Sequence, residues 1–480
     1  MESNLALTLS FIFYSAGIVA FGLYSTRLRK QTADDFILAN RELGPWASSL
    51  SASASSESGW VMLGVVGAAF TDGAGAFWIV PGIACGYLFN WFVIAERMRK
   101  ATLADGSVTL PQYIAHRFGK KSLALRLIPA IIIAVAMLGY VAAQMNAAGK
   151  AFDAVFHLPY YQGVIIGAGI ILAYTITGGF RAICWTDIIQ AGFMFIALVM
   201  MPFVIFAHLG GYDRFIEGIK LIDPNLLSFT SGKAGFALLG FVVGNFGIGL
   251  GYPGQPHILS RFMAVKDERS VKQAGVIAIV WMVLVYLGAV FFGMFARVYF
   301  GTIADPEQAL PLAVGEFLPP VLGGLVIAAI VAAICSTADS QLMVVSSIIS
   351  RDIIPIFRKK ELTELGDYKR VVRIDRWVLI ILALISIFFA LTKNRVIFEF
   401  VLYAWSGLGA AFGPVVIFGL LWKKTTKAGA IAGMLTGALV TILWRNIPAL
   451  KSIVYELVPA FILAFIAVWI VSWLTQKKEA

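Results

Sequence analysis

Charge is what this chain has least of: across 480 residues only 14% are Asp, Glu, Lys or Arg, against about a quarter in a typical water-soluble domain. A surface that sparsely charged excludes an ordinary soluble globule of this length. Cysteine is scarcer still, with three residues, Cys85, Cys184 and Cys335, odd in number and without metal-ligand spacing. Neither a disulfide framework nor a cysteine metal centre follows, so the three read as small apolar packing residues and leave the redox compartment open. The histidines, His116, His157, His208 and His257, are scattered over loops and span ends. No clustered metal site is visible, and no Walker-type phosphate loop occurs, which argues against nucleotide-driven pumping on this chain. Long polar stretches are missing too. The longest, roughly residues 97–123, 209–233 and 351–376, are each too short to bury a core, so no soluble enzyme domain fits anywhere.

What is present is apolar sequence: 59% hydrophobic residues and a mean hydropathy of +0.84. That composition implies an all-α polytopic membrane protein, because a helix closes its own backbone hydrogen bonds in hydrocarbon. Runs of about 20 apolar residues predict thirteen spans, near residues 6–25, 44–70, 75–96, 124–149, 160–178, 185–208, 234–257, 272–296, 321–347, 377–392, 397–421, 428–445 and 453–474. The net charge of +11 does not point to nucleic acid, because 29 of the 38 Lys and Arg residues fall on alternate loops and the C-terminal tail. The positive-inside bias then puts the N-terminus outside and the C-terminus in the cytoplasm, in agreement with an odd number of spans. The first span has no basic residue before it and a basic flank after it, the reverse of a cleaved signal peptide.

Span 2 is unusual. Its sequence from Leu43 to Phe70, LGPWASSLSASASSESGWVMLGVVGAAF, packs Ser, Ala and Gly into its middle together with an acid, Glu57. Such a hydroxyl-rich, breakable centre is tolerated in a membrane only where it lines an enclosed cavity. Span 7 answers it with five glycines, Gly244, Gly247, Gly249, Gly251 and Gly254, and two prolines, Pro253 and Pro256, which prevent an intact helix. Paired interruptions at matching places in two halves point to a transporter built from inverted repeats, spans 2–6 against spans 7–11. The division is then 1–43 for the first helix and its loop, 44–208 and 234–421 for the repeats, and 422–480 for the last two spans and tail. In span 9, Ala333, Ser336, Thr337 and Ser340 follow i, i+3, i+4, i+7 spacing and share one helix face. Hydroxyls beside unwound carbonyls suit a hard monovalent cation.

Six strings, SASASSESGWVMLG (51–64), VTLPQYIAHRF (108–118), TGGFRAICWTDIIQA (177–191), GYPGQPHILSRFMA (251–264), STADSQLMVVSS (336–347) and YAWSGLGAAFGPVV (403–416), occur in one order at compatible spacings. In these the chain resembles the sodium/solute symporter family over nearly its whole length. The resemblance implies a five-plus-five, leucine-transporter-type inverted-repeat core with extra helices at both ends, in the cell (inner) membrane. It implies no enzyme activity but sodium-coupled import of a small amino acid, proline first. Its sodium site would use the carbonyls of Ala54, Glu57 and Ala333 with the hydroxyls of Ser336 and Thr337. Asp187, with Asp339 and Ser340, would form a second, lower cation position. Solute contacts would fall to Ser58, Gly59 and Trp60, to Tyr140 and Gln144, and to Tyr252, Gln255 and Pro256, where free N–H groups at a broken helix suit a carboxylate.

Two departures bear on the coupling and the substrate. Where the proline carriers of the family read Asp-Met-Ser-Gly-Trp, this chain reads Ser56-Glu57-Ser58-Gly59-Trp60, which moves the acid by about 100° around a helix. Glu57 then has three readings: a side-chain ligand to sodium, a proton acceptor, or a partner for the solute's ammonium. Where those carriers have Trp four residues before the tyrosine of GYxGQP, this chain has Ile248, which leaves another amino acid or a monocarboxylate open. Proton coupling, a channel and a transporter-like nutrient sensor are the remaining alternatives.

Overall fold

Apolar runs surrounded by lipid fold as helices because no other open element satisfies every backbone N–H and C=O internally. The computed structural model describes residues 2–25, 33–120, 122–358, 368–392 and 397–479. Among them every regular element is helical, and the extended contact is one isolated parallel bridge between Leu43 and Val265. Eleven segments are long and apolar enough to cross a bilayer. One of them, Trp60–Asp105, joins the second half of span 2 to span 3 across a turn at Gly73 and so belongs to two passes. A shorter apolar helix, Tyr160–Ala173, is span 5 and continues across the break at Gly179 into span 6, Gly178–Leu209, already counted. Counted so, the thirteen spans read from the sequence are all there.

Boundaries differ from the hydropathy reading where polar residues continue a helix into the interface. The third span runs on through Glu96–Asp105, and the ninth, Pro320–Ile348, continues through a π turn, Ile349–Ile353, to Arg358. Between spans 5 and 6 the expected loop at 179–184 is instead one break at Gly179 (φ 66, ψ −170) in the helical run Tyr160–Leu209. Only glycine adopts that conformation at low cost. Of the basic residues counted above, Arg27, Arg29, Lys30, Lys121, Lys359, Lys360, Lys393 and Arg395 lie outside the described residues.

Span 9 is the axis of the molecule: from Val326 to Ile348 every residue is buried. It packs on spans 1, 4 and 6 and on the first half of span 2. Spans 2, 3, 7 and 8 form a second packet. There Gly82 of span 3 meets span 7 backbone to backbone, and a Cβ on Gly82 would strike the Phe246 carbonyl. Spans 11, 12 and 13 pack on one another and close the far side.

Candidate functional site

Span 2 begins as the helix Pro45–Ser56, whose small residues lower the cost of ending it. It stops at Glu57 (φ −94, ψ 26), whose N–H still reaches Ser53 O at 2.9 Å. The chain resumes as a π turn, Trp60–Val65. Two freed amides find side-chain partners: Ser58 Oγ accepts from Trp60 N–H at 3.0 Å, and Gln144 Oε1, from the span 4 helix Leu123–Phe156, accepts from Gly59 N–H at 3.1 Å. Span 7 runs as Gly235–Gly247, tightens into a 3-10 turn, Ile248–Gly254, extends at Gln255 (φ −89, ψ 108) and restarts as Pro256–Ala264. Gln255 Nε2 donates to Gly251 O at 3.2 Å and Trp405 O at 3.0 Å, bracing this break against span 11, Ile397–Leu421.

Beside the first break the hydroxyl pair of span 9 is in contact with backbone oxygen. Ser336 Oγ donates to Ala54 O at 2.9 Å and Ala333 O at 3.1 Å, and Thr337 Oγ1 donates to Ala333 O at 3.2 Å. Ala54, Ala333, Ser336 and Thr337, four of the five expected oxygen donors, therefore meet at one fully buried spot. The side chain of the fifth, Glu57, turns elsewhere. Its carboxylate accepts from Tyr87 Oη at 2.6 Å, Tyr252 Oη at 3.1 Å, Ser56 Oγ at 3.2 Å and, on the second oxygen, from Tyr286 Oη.

Asp187, Asp339 and Ser340 are also brought together, through a residue the sequence reading did not name. Arg261, at the end of the second half of span 7, donates from Nη2 to Asp187 Oδ2 at 3.2 Å and to Ser340 Oγ at 2.5 Å, and from Nε to Ser51 Oγ at 3.0 Å. Ser51 Oγ in turn donates to Asp187 Oδ2 at 2.5 Å, and Ser340 Oγ to Asp339 Oδ1 at 3.1 Å. In this conformation a guanidinium supplies the positive charge where a second cation was expected.

The solute residues divide into walls and braces. Trp60, Tyr140 and Tyr252 line a small cavity together with Ser56, Ile248 and Trp405. Its volume is about 10 Å³, the room of roughly one water, so the pocket is closed down here. Trp405 packs edge-on against Tyr252, with ring centroids 4.8 Å apart, and donates from Nε1 to Ile248 O at 3.0 Å. Phe398 stacks on Trp60 at 5.7 Å. Ser58, Gly59, Gln144 and Gln255 hold the breaks, whereas Pro256 lines a different cavity with Thr109, Ser260 and Met343. Among the described residues, Trp60 Nε1 and Gln144 Nε2 are buried donors without a hydrogen-bond partner.

Four contributors escaped the sequence reading: Tyr87, Tyr286, Arg261 and Trp405. Arg261 lies past residue 257, where the apolar run of span 7 ends, and so reads from sequence as one more loop cation. Tyr87 and Tyr286 had no signal either, because one tyrosine in an apolar span looks like packing.

The family profile described as the sodium:solute symporter family matches residues 36–437. The chain is 38% identical over 462 residues to the high-affinity proline transporter PutP of Bacillus subtilis, covering 95% of this chain and 96% of that one. To the sodium/proline symporter of Escherichia coli it is 35% identical over 489 residues, covering 100% and 95%. In structure it resembles a Na+-coupled sialic acid symporter (TM-score 0.81, 18% identity, 98% of each chain). It also resembles a nucleobase-cation-symport-1 family transporter (TM-score 0.56, 13% identity, 91% of this chain and 94% of that one). The fold is the leucine-transporter type, a five-plus-five inverted-repeat core with extra helices at both ends. By a match over most of its length and by relatives well above 30% identity, the chain belongs to the sodium:solute symporter family.

Proposed function

We propose that this chain is a sodium-coupled symporter that imports proline, or a small amino acid closely like it, by alternating access. The observation that carries the reading is the contact of Ser336 Oγ with Ala54 O at 2.9 Å. It joins the central helix to the last turn before the break in span 2 and gathers hydroxyl and carbonyl oxygen in a dry place, the chemistry a hard monovalent cation needs. Sodium there would take the Ser336 and Thr337 oxygens as ligands and fix the break. Fixing the break sets Trp60 and Gly59, which follow it directly, so ion and solute bind with reciprocal coupling of about 1–3 kcal/mol. Trp60 Nε1 and Gln144 Nε2, both buried and unpartnered among the described residues, suit the solute's carboxylate, and the rings of Tyr140, Tyr252 and Trp405 suit an apolar ring or short aliphatic body. The relatives named as proline carriers support proline as the first substrate to test.

The repeats are taken as 44–208 and 234–421, with 1–43 and 422–480 outside them. The N-terminus is placed outside and the C-terminus in the cytoplasm of a bacterial inner membrane, as the distribution of basic residues favours. Asp187, Asp339 and Ser340 would serve a second sodium only if Arg261 withdrew.

Reconstitution into proteoliposomes tests the reading. Radiolabelled proline should accumulate under an inward sodium gradient and fail to do so in choline. Uptake undiminished in the absence of sodium, under an imposed proton gradient, would overturn sodium coupling. Sodium-driven uptake of another amino acid with none of proline would overturn the substrate, and specific binding without uptake would favour a sensor.

A further inference from the structure

A buried carboxylate needs charge or donors around it, and the donors around Glu57 have an uncommon distribution. Glu57 stands at the break of span 2. Tyr87 comes from span 3, Tyr252 from the break of span 7 and Tyr286 from span 8, Glu268–Phe300, and all three hydroxyls point at the same carboxylate. Each is fully buried or nearly so. One side chain therefore ties together all four helices of the packet, whereas other polar contacts there, Asn90 Nδ2 to Tyr252 O at 3.2 Å and Arg261 Nε to Ser51 Oγ at 3.0 Å, each join only two. Ser56 Oγ, 3.0 Å from Tyr87 Oη, completes the cluster.

The tie reaches the solute pocket without Glu57 lining it. Tyr252, held by Glu57 at 3.1 Å, is a pocket wall and packs edge-on against Trp405 at 4.8 Å. Tyr286 packs edge-on against Trp60 at 6.0 Å. Both aromatic walls that come from broken helices are thus set by hydroxyls donated to one acid. The one-residue shift of the acid relative to the family's proline carriers acquires a reason here. At position 57 the helix has already ended, and the side chain leaves toward spans 3 and 8, on a different side from the Ser336 and Thr337 hydroxyls, which bond to Ala54 and Ala333.

We propose that Glu57 is a positioning residue, whose carboxylate locks spans 2, 3, 7 and 8 into one body and fixes Trp60 and Tyr252 for the solute, and that its side chain is not a ligand of the driving ion. The proposal rests on the transport reading above. Without the tie, the four helices keep their apolar packing and the oxygens of Ala54, Ala333, Ser336 and Thr337 keep theirs, while the two pocket walls lose register.

Sodium-driven uptake is measured for the parent, Glu57→Gln, Tyr87→Phe, Tyr286→Phe and the double variant Glu57→Gln/Tyr286→Phe. In each single variant the solute KM should rise about three- to tenfold, with Vmax and the sodium half-saturation within about twofold of the parent. The double variant should be no worse than Glu57→Gln alone, because both changes cut one tie. A tenfold shift in sodium half-saturation confined to Glu57→Gln would overturn the proposal in favour of an ion ligand. A fall in Vmax with KM unchanged, an unchanged KM, or effects that multiply in the double variant would overturn it as well. Should Glu57→Gln fail to fold, the two Tyr→Phe variants carry the test. If the parent carries no proline, the functional reading has failed. The same four variants then test the tie as a double-mutant cycle of thermal unfolding in detergent, where additive effects would overturn it.

Discussion

Arg261 holds its guanidinium 3.2 Å from the Asp187 carboxylate, and neither side chain reaches solvent. The pair joins the second half of the broken span 7 to span 6, and Ser51 and Ser340 add span 2 and span 9 to the same knot. Breaking one partner of a buried pair costs about 3–5 kcal/mol, because the other charge is left uncompensated in a dry place. Arg261→Leu and Asp187→Asn should each lower the unfolding midpoint of the purified protein by several degrees, and the double variant should recover part of the loss. Equal midpoints for the singles and the parent would show that the pair contributes little.

Thr337→Ala removes one hydroxyl from the oxygen cluster and leaves Ala333 O without that donor. An oxygen interaction with a charged group is worth about 1.5–3 kcal/mol, so the sodium concentration for half-activation should rise about tenfold to a hundredfold. Solute KM should rise second, through coupling, and recover at high sodium. Superimposable sodium activation curves for variant and parent would remove Thr337 from the site.

Trp405→Phe keeps an aromatic face on Tyr252 but removes the donor to Ile248 O. Losing one buried hydrogen bond costs about 0.5–1.5 kcal/mol. The 3-10 turn of span 7 should loosen, raising solute KM several-fold while the sodium half-saturation is unmoved. A sodium effect larger than the solute effect would contradict the placement of Trp405 in the solute pocket.

Glu307 receives two N–H groups at the start of span 11, from Ile397 at 3.0 Å and Phe398 at 2.8 Å, and is paired with Lys150 of span 4 at 2.7 Å. Since Phe398 stacks on Trp60, this acid holds the ring that backs a wall of the pocket. Glu307→Ala should slow turnover while sodium affinity stays within about twofold, because the change touches the support of Trp60 and not the ion's oxygens. Unchanged Vmax in proteoliposomes would show that Phe398 keeps its place without it.

Replacing Gly82 by a larger residue tests the backbone contact of spans 3 and 7. Its Cβ has no free space against the Phe246 carbonyl, and overpacking costs about 1–3 kcal/mol. Gly82→Val should reduce the yield of folded protein and its unfolding midpoint together. Normal yield and midpoint would mean that the two helices separate readily.

The number of spans, the two breaks and the hydroxyl pair were legible because each is written locally. Hydropathy marks a span wherever about 20 apolar residues run together, Gly and Pro end helices by their own backbone limits, and Ser336 and Thr337 share a helix face by spacing alone. The Gly179 break reads as a loop in hydropathy because a single residue at positive φ leaves no mark there. The roles within the solute set were not legible either. Ser58, Gln144 and Gln255 brace freed backbone and Pro256 lines another cavity, distinctions that depend on which neighbour each side chain meets.

By itself the sequence determined a thirteen-span helical membrane protein with two interrupted helices, since those properties follow from the solvation of backbone and side chains segment by segment. Only the tertiary structure decided that Glu57 faces Tyr87, Tyr252 and Tyr286 and that Arg261 answers Asp187. These partners lie between 30 and 229 residues apart in the chain. A buried charge selects its partner by distance in space, and that distance is set only once helices far apart in sequence have packed.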